Sequence, residues 1–152
     1  MDGELVLVAG LPGCGKTTYL CQKCREGWLA FDDFKAQAFE NCSQFQSSRK
    51  LHSLLVALQD GLRCIVADIA FCDDSCRIEA ETVLRTEMPN LKLRWEFFAN
   101  DRIACEANVR RRNSAGLQHD LECLAKYFPA YRIPDGALVH PVWQEQELTA
   151  GN

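Results

Sequence analysis

The sequence predicts an α/β protein three layers deep, with helices on both faces of a mainly parallel five-stranded sheet. Three observations lead there. Apolar runs of strand length alternate with helix-length stretches from one end of the chain to the other. The runs are continuous rather than alternating, as in strands buried on both faces. Turn and cap residues, chiefly Gly and Asp, stand at the joins.

Taken in order, Leu5–Ala9 is the first strand, followed by a Gly-rich turn. Thr17–Arg25 reads as a helix ended by Gly27. Trp28–Phe31 is a second buried strand closed by Asp32-Asp33. A helix from Phe34 to about Phe45 follows, then a polar joint at Gln46-Ser47-Ser48. Beyond it Leu51, Leu54, Leu55 and Leu58 share one face of a helix that Gly61 ends. Leu62–Ala67 is the third strand, stopping at Asp68. Asp73-Asp74-Ser75 caps a helix reaching about Glu87, and Pro89-Asn90 turns the chain into the fourth strand, Leu91–Phe98. A helix from about Ile103 to Arg112, a break at Asn113–Gly116, a helix Leu117–Phe128 and a fifth strand Ala137–Val142 complete the pattern. Residues 1–143 are expected to form one domain, with 144–152 a frayed polar tail.

The bulk numbers narrow the function. A length of 152 residues suits one domain, and 47% hydrophobic with 25% charged residues suits a folded globular chain. A net charge of −4 gives no overall attraction to nucleic acid or anionic membrane. Nucleic acid would have to be gripped locally, for instance at Arg110-Arg111-Arg112. No apolar run approaches the ~20 residues of a membrane span. The start, Met1-Asp2-Gly3-Glu4, is acidic where a secretion signal is basic, so the cytoplasm is the expected location. Nine cysteines would then be free thiols. The close pairs Cys21/Cys24 and Cys72/Cys76 have the makings of a four-thiolate zinc site, but Cys21 and Cys24 fall inside a predicted helix, which favours plain packing.

The chemistry concentrates at the carboxyl ends of the strands, where open α/β sheets bind ligands. Gly10-Leu11-Pro12-Gly13-Cys14-Gly15-Lys16-Thr17 fits G-x-x-x-x-G-K-[ST], between a buried strand and a helix. The glycines let backbone N–H groups converge on phosphate oxygens, and the helix N-terminus adds donors and dipole. Lys16 would reach the β- and γ-phosphates of ATP, Thr17 would offer its hydroxyl to Mg²⁺, and Thr18 follows in the first helical turn. A thiol at such a position, Cys14, has two readings: a lowered pKa with redox sensitivity, or a tolerated small residue. Asp68 can hold Mg²⁺ through water or cap a turn. Asp32 or Asp33, with Asp32 ahead, can take a proton from an attacking hydroxyl, or cap a helix.

The segment Gly-Leu-Pro-Gly-Cys-Gly-Lys-Thr-Thr at 10–18, with Phe31-Asp32-Asp33-Phe34-Lys35 after the second strand, resembles small P-loop kinases of the polynucleotide 5′-hydroxyl kinase, zeta-toxin and gluconate kinase kind. The resemblance implies a P-loop NTPase fold, Asp32 as base and Lys35 in the place of an arginine that contacts substrate. Lysine cannot form that arginine's bidentate fork, which leaves the acceptor class open. The resemblance also implies a lid, found here in Asp101–Arg112 and the Asn113–Gly116 break. The usual lid has two arginines about four residues apart. Asn108 stands where the first would be, so Arg111 and Arg112, ahead of Arg110, inherit the phosphate contacts. The plainer alternative is that arginines at a helix C-terminus complement its dipole. Ile133-Pro134-Asp135-Gly136, before the last strand, would border the adenine.

Other features are weaker. Arg77, nine residues beyond Asp68, is either a substrate contact or a surface residue. His52, His119 and His140 form no ligand spacing. Trp28, Trp95 and Trp143 are expected in the core. The function expected is a Mg²⁺-dependent ATP kinase acting on an unnamed hydroxyl acceptor. The alternative is an NTPase or nucleotide-binding module acting as a switch.

Overall fold

The computed structural model describes residues 3–32, 34, 44–112 and 114–144. Asp33, Lys35, most of the helix expected from Phe34 and the tail beyond 144 lie outside the described residues. Five strands form one sheet: β1 (Glu4–Ala9), β2 (Leu29–Phe31), β3 (Arg63–Ala67), β4 (Lys92–Phe98) and β5 (Leu138–His140). Their order is β2-β3-β1-β4-β5, and each neighbouring pair is parallel. The described helices are α1 (Lys16–Arg25), α2 (Gln44–Gln59), α3 (Asp74–Glu87), α4 (Arg102–Arg112) and α5 (Leu117–Tyr127), with one 3₁₀ turn at Ile69–Cys72. None is long and apolar enough to cross a membrane.

β1 lies in the middle because it is apolar on both faces. Leu5 through Ala9 are all buried, and β3 beside it buries Cys64, Ile65, Val66 and Ala67. Burying β1 on both faces directs its carboxyl end, and the glycine loop after it, to the centre of the sheet's upper rim. Leu54 and Leu58 of α2 are buried, with Leu51 and Leu55 half-buried beside them, as one helical face requires.

Three elements differ from the sequence expectation. The polar joint at 46–48 is absent, and α2 runs unbroken through it. Serine and glutamine are tolerated in helices, and no Gly or Pro stands there to stop one. β2 is a three-residue edge strand with Leu29 exposed. The burial belongs to Trp28 just before it, whose ring lies under the Arg63 and Arg94 guanidinium groups at 5.0 and 5.7 Å. β5 is the opposite edge, shortened to three residues, with Leu138 and Val139 exposed.

One buried acid ties α1 to the sheet. Glu96, in the interior of β4, is 2% exposed. It accepts from the Tyr19 hydroxyl of α1, from His140 Nε2 of β5 at 2.7 Å and from Arg94 Nε at 3.2 Å. Burial alone would raise its pKa, but the Tyr19, His140 and Arg94 hydrogen bonds outweigh that and hold the carboxyl below the usual glutamate range. A depressed folded-state pKa gives stability that is full above the unfolded-state value and drains as pH falls through the folded one. Glu96→Gln should therefore cost roughly 2–3 kcal/mol at neutral pH. It should also flatten the acid limb of stability against pH, as read by thermal melts from neutral to acid.

Candidate functional site

A cavity of about 720 Å³ opens above the carboxyl edge of the sheet, over the glycine loop. Pro12, Gly13, Gly15, Lys16, Thr17 and Thr18 form its floor. The loop keeps the shape the motif requires. Gly13 and Gly15 have φ of +82° and +110°, the left-handed region that L side chains avoid. A side chain at either would also collide: a Cβ on Gly13 would lie 2.4 Å from the Cys105 carbonyl oxygen of α4, and one on Gly15 2.5 Å from Trp143 Cβ.

α1 begins at Lys16 with no side-chain cap and no acid in its first turn. By contrast, Asp73 caps α3 with a hydrogen bond to the Ser75 N–H. An uncapped helix start opening into a cavity is an anion site in wait. Lys16 Nζ curls over the loop and donates to the Gly10 carbonyl, and to that of Leu11 at 3.0 Å. Gly10 and Cys14 lie beneath the floor, both buried. Burial pushes the Cys14 thiol up, outweighing the Lys16 charge, which runs against the lowered-pKa reading.

The strand-end acids and the arginines border the same cavity. Asp32, beyond β2, and Asp68, beyond β3, both line it, as do Arg111 and Arg112 of α4. Asp32 is exposed; Asp68 is buried. The Asp68 carboxylate accepts from the Ala70 N–H and the Phe34 N–H, each at 2.9 Å. Asp68 thus caps the 3₁₀ turn and also ties down the chain that follows β2. Arg110 is turned aside: it pairs with Glu106 at 3.3 Å and is not part of the cavity wall.

Arg77 and the Ile133–Gly136 loop meet elsewhere. They border a second cavity of about 640 Å³, together with Trp95 and Phe97. Arg77 is buried there, donating to the carbonyls of Phe71 and Arg132 at 2.6 and 3.0 Å and pairing with Asp74. It braces the start of α3, and the Ile133–Gly136 loop does not border the phosphate-loop cavity.

Sequence reasoning missed three contributors. Trp143 was expected in the core, but it is 46% exposed and lines the cavity beside Gly15. Its position just past the last strand and Pro141 was the available signal. Asn108, buried in α4, donates through Nδ2 to the carbonyls of Gly13 at 2.8 Å and Trp143 at 2.6 Å. His119, Asp120 and Cys123 of α5 form one wall. The i, i+4 pair His119 and Cys123 approach at 3.5 Å, and Asp120 reaches Arg112 at 3.5 Å. Among the described residues, no group of three or more His, Cys, Asp or Glu could hold a metal ion by itself.

No family model matches the chain, and neither does any curated protein. Solved structures do. A gluconokinase from Sinorhizobium meliloti 1021 aligns with a TM-score of 0.55 at 17% identity, covering 94% of this chain and 84% of that one. The Mycobacterium tuberculosis APS kinase, in complex with AMPPNP and APS, aligns at 0.60 and 18%, covering 92% and 88%. A sugar kinase from Janibacter sp. HTCC2649 aligns at 0.55 and 17%, covering 91% and 84%. At such identities the likeness is one of architecture: this chain has the fold of the small P-loop kinases.

Proposed function

We propose that the protein is an ATP-dependent phosphotransferase that moves the γ-phosphoryl group to a hydroxyl acceptor. The observation that carries this reading is convergence. One cavity gathers an uncapped helix start with its lysine, two strand-end acids and two arginines from a third element. Phosphoryl transfer asks for little more than such positioning and charge neutralisation.

In this reading the triphosphate lies on the loop N–H groups, with Lys16 drawn from its carbonyl partners to the β- and γ-phosphates. Arg111 and Arg112 face the γ-phosphoryl group from above. The acceptor oxygen bonds to the γ-phosphorus as the bond to the β–γ bridging oxygen breaks. The acceptor's proton passes to Asp32, and ADP leaves with the bonding electron pair. Thr17 and Asp68 fit a Mg²⁺ ion. The Thr17 hydroxyl is exposed in the cavity that Asp68 also lines, and hydroxyl and carboxylate oxygens are the donors such an ion takes. Bound there, Mg²⁺ would neutralise charge on the phosphate oxygens. The exposed Trp143 ring offers a nucleobase a flat apolar surface.

Three measurements test this. Lys16→Ala should weaken ATP binding about 10–100-fold; unchanged affinity would sink the whole reading. Asp32→Asn should slow label transfer from γ-labelled ATP to a hydroxyl panel by about 10²–10⁴-fold while leaving ATP affinity nearly intact. The panel spans polyols, nucleosides and 5′-hydroxyl oligonucleotides, and phosphate release without transfer to any of them would favour the switch-like NTPase. Trp143→Ala should weaken ATP about tenfold yet leave binding of inorganic tripolyphosphate unchanged. Equal losses for both ligands would remove Trp143 from the nucleobase role.

A further inference from the structure

We infer that Asn108 is the positioning residue that holds Arg111 over the phosphate loop. The inference rests on the nucleotide reading above. Asn108 is 7% exposed and spends its whole carboxamide on three parts of the molecule. Nδ2 donates to the Gly13 carbonyl of the phosphate loop and to the Trp143 carbonyl beyond β5. Oδ1 accepts from Arg111, one helical turn further along α4, at 3.1 Å. The orientation of the amide is fixed by its partners. Two carbonyls can only face the nitrogen, and a guanidinium can only face the oxygen.

The consequence is mechanical. Arg111 is exposed, and a long exposed side chain samples many rotamers unless something restrains it. One restraint here is an amide whose other end is bonded to the loop that would carry the triphosphate. The path from the loop to the arginine is two hydrogen bonds long and passes through one rigid planar group. Arg112 is held differently, by Asp120 of α5. The two arginines that face the cavity therefore report to different elements, and only Arg111 reports to the phosphate loop.

The test reads γ-phosphate recognition at equilibrium, so it does not depend on knowing the acceptor. The quantity is the ratio of ADP to AMPPNP dissociation constants with Mg²⁺, measured by calorimetry. Arg111→Ala should reduce that ratio about tenfold. Asn108→Ala should reduce it nearly as much, and the double variant should fall no further.

Asn108→Asp separates positioning from folding. Its carboxylate keeps the Arg111 partner but turns oxygen toward two carbonyls. It should melt below Asn108→Ala and still keep the ratio within about threefold of the parent. An unchanged ratio in Asn108→Ala, or strictly multiplicative effects in the double variant, overturns the inference. So does loss of the ratio in Asn108→Asp in step with its lower melting temperature. An Arg111→Ala variant that keeps the full ratio also overturns it, since there would be nothing to position. Failure of the parent to bind either nucleotide is a different result and sinks the function proposed above.

Discussion

A loop whose N–H groups converge on an anion must turn its carbonyls outward, and those carbonyls need donors of their own. Much of the surrounding structure meets that demand. The Gly10 and Leu11 carbonyls receive Lys16, and Leu11 also receives the Cys14 N–H. The Gly13 carbonyl receives Asn108 from α4. The Cys14 carbonyl receives the Trp143 N–H at 2.8 Å from beyond β5, and the Gly15 carbonyl starts the α1 ladder at Tyr19. Groups from two distant stretches of chain are thus held against the loop by ordinary backbone satisfaction. Because β1 is buried on both faces, the loop itself has nowhere else to go.

The same helix is fixed from below. Tyr19, one turn into α1, bonds the buried Glu96, which also gathers His140 and Arg94. A buried charge with three donors resists sliding of α1 along the sheet, because any shift would cost it the Tyr19 donor. Tyr131 works in the same way at the upper rim. Its hydroxyl donates to the Phe98 carbonyl and lies 3.3 Å from that of Ala9, where β4 and β1 end. The cavity floor is therefore anchored to polar contacts in the sheet as well as to packing.

What could be read from the sequence follows from this division. The phosphate loop, the acids after β2 and β3 and the leucine face of α2 are encoded within a few residues, where spacing carries the information. Asn108, Trp143 and the α5 wall act across separations of tens of residues, and apart from the place of Trp143 beyond the last strand no local pattern marks them. Trp143 looked like core because an aromatic beside a strand usually is, yet here the chain has passed the edge of the sheet. Arg110, Arg111 and Arg112 read as one patch, and the helical twist sends them to different partners. Arg77 sat at a plausible distance from Asp68, but residue count alone does not tell which side of the sheet a helix start will face.

The close approach of α4 to Gly13 bears on how far such a sequence can drift. What meets that glycine is the main-chain carbonyl of Cys105, and what meets Cys14 is the main-chain N–H of Trp143. Contacts made by backbone do not care which side chain their owner carries. These backbone contacts hold the path of the chain, provided 13 and 15 carry no side chain to push it away. A fold tied together in this manner keeps its shape after most of its letters have turned over, which is consistent with an architecture shared with kinases at 17–18% identity.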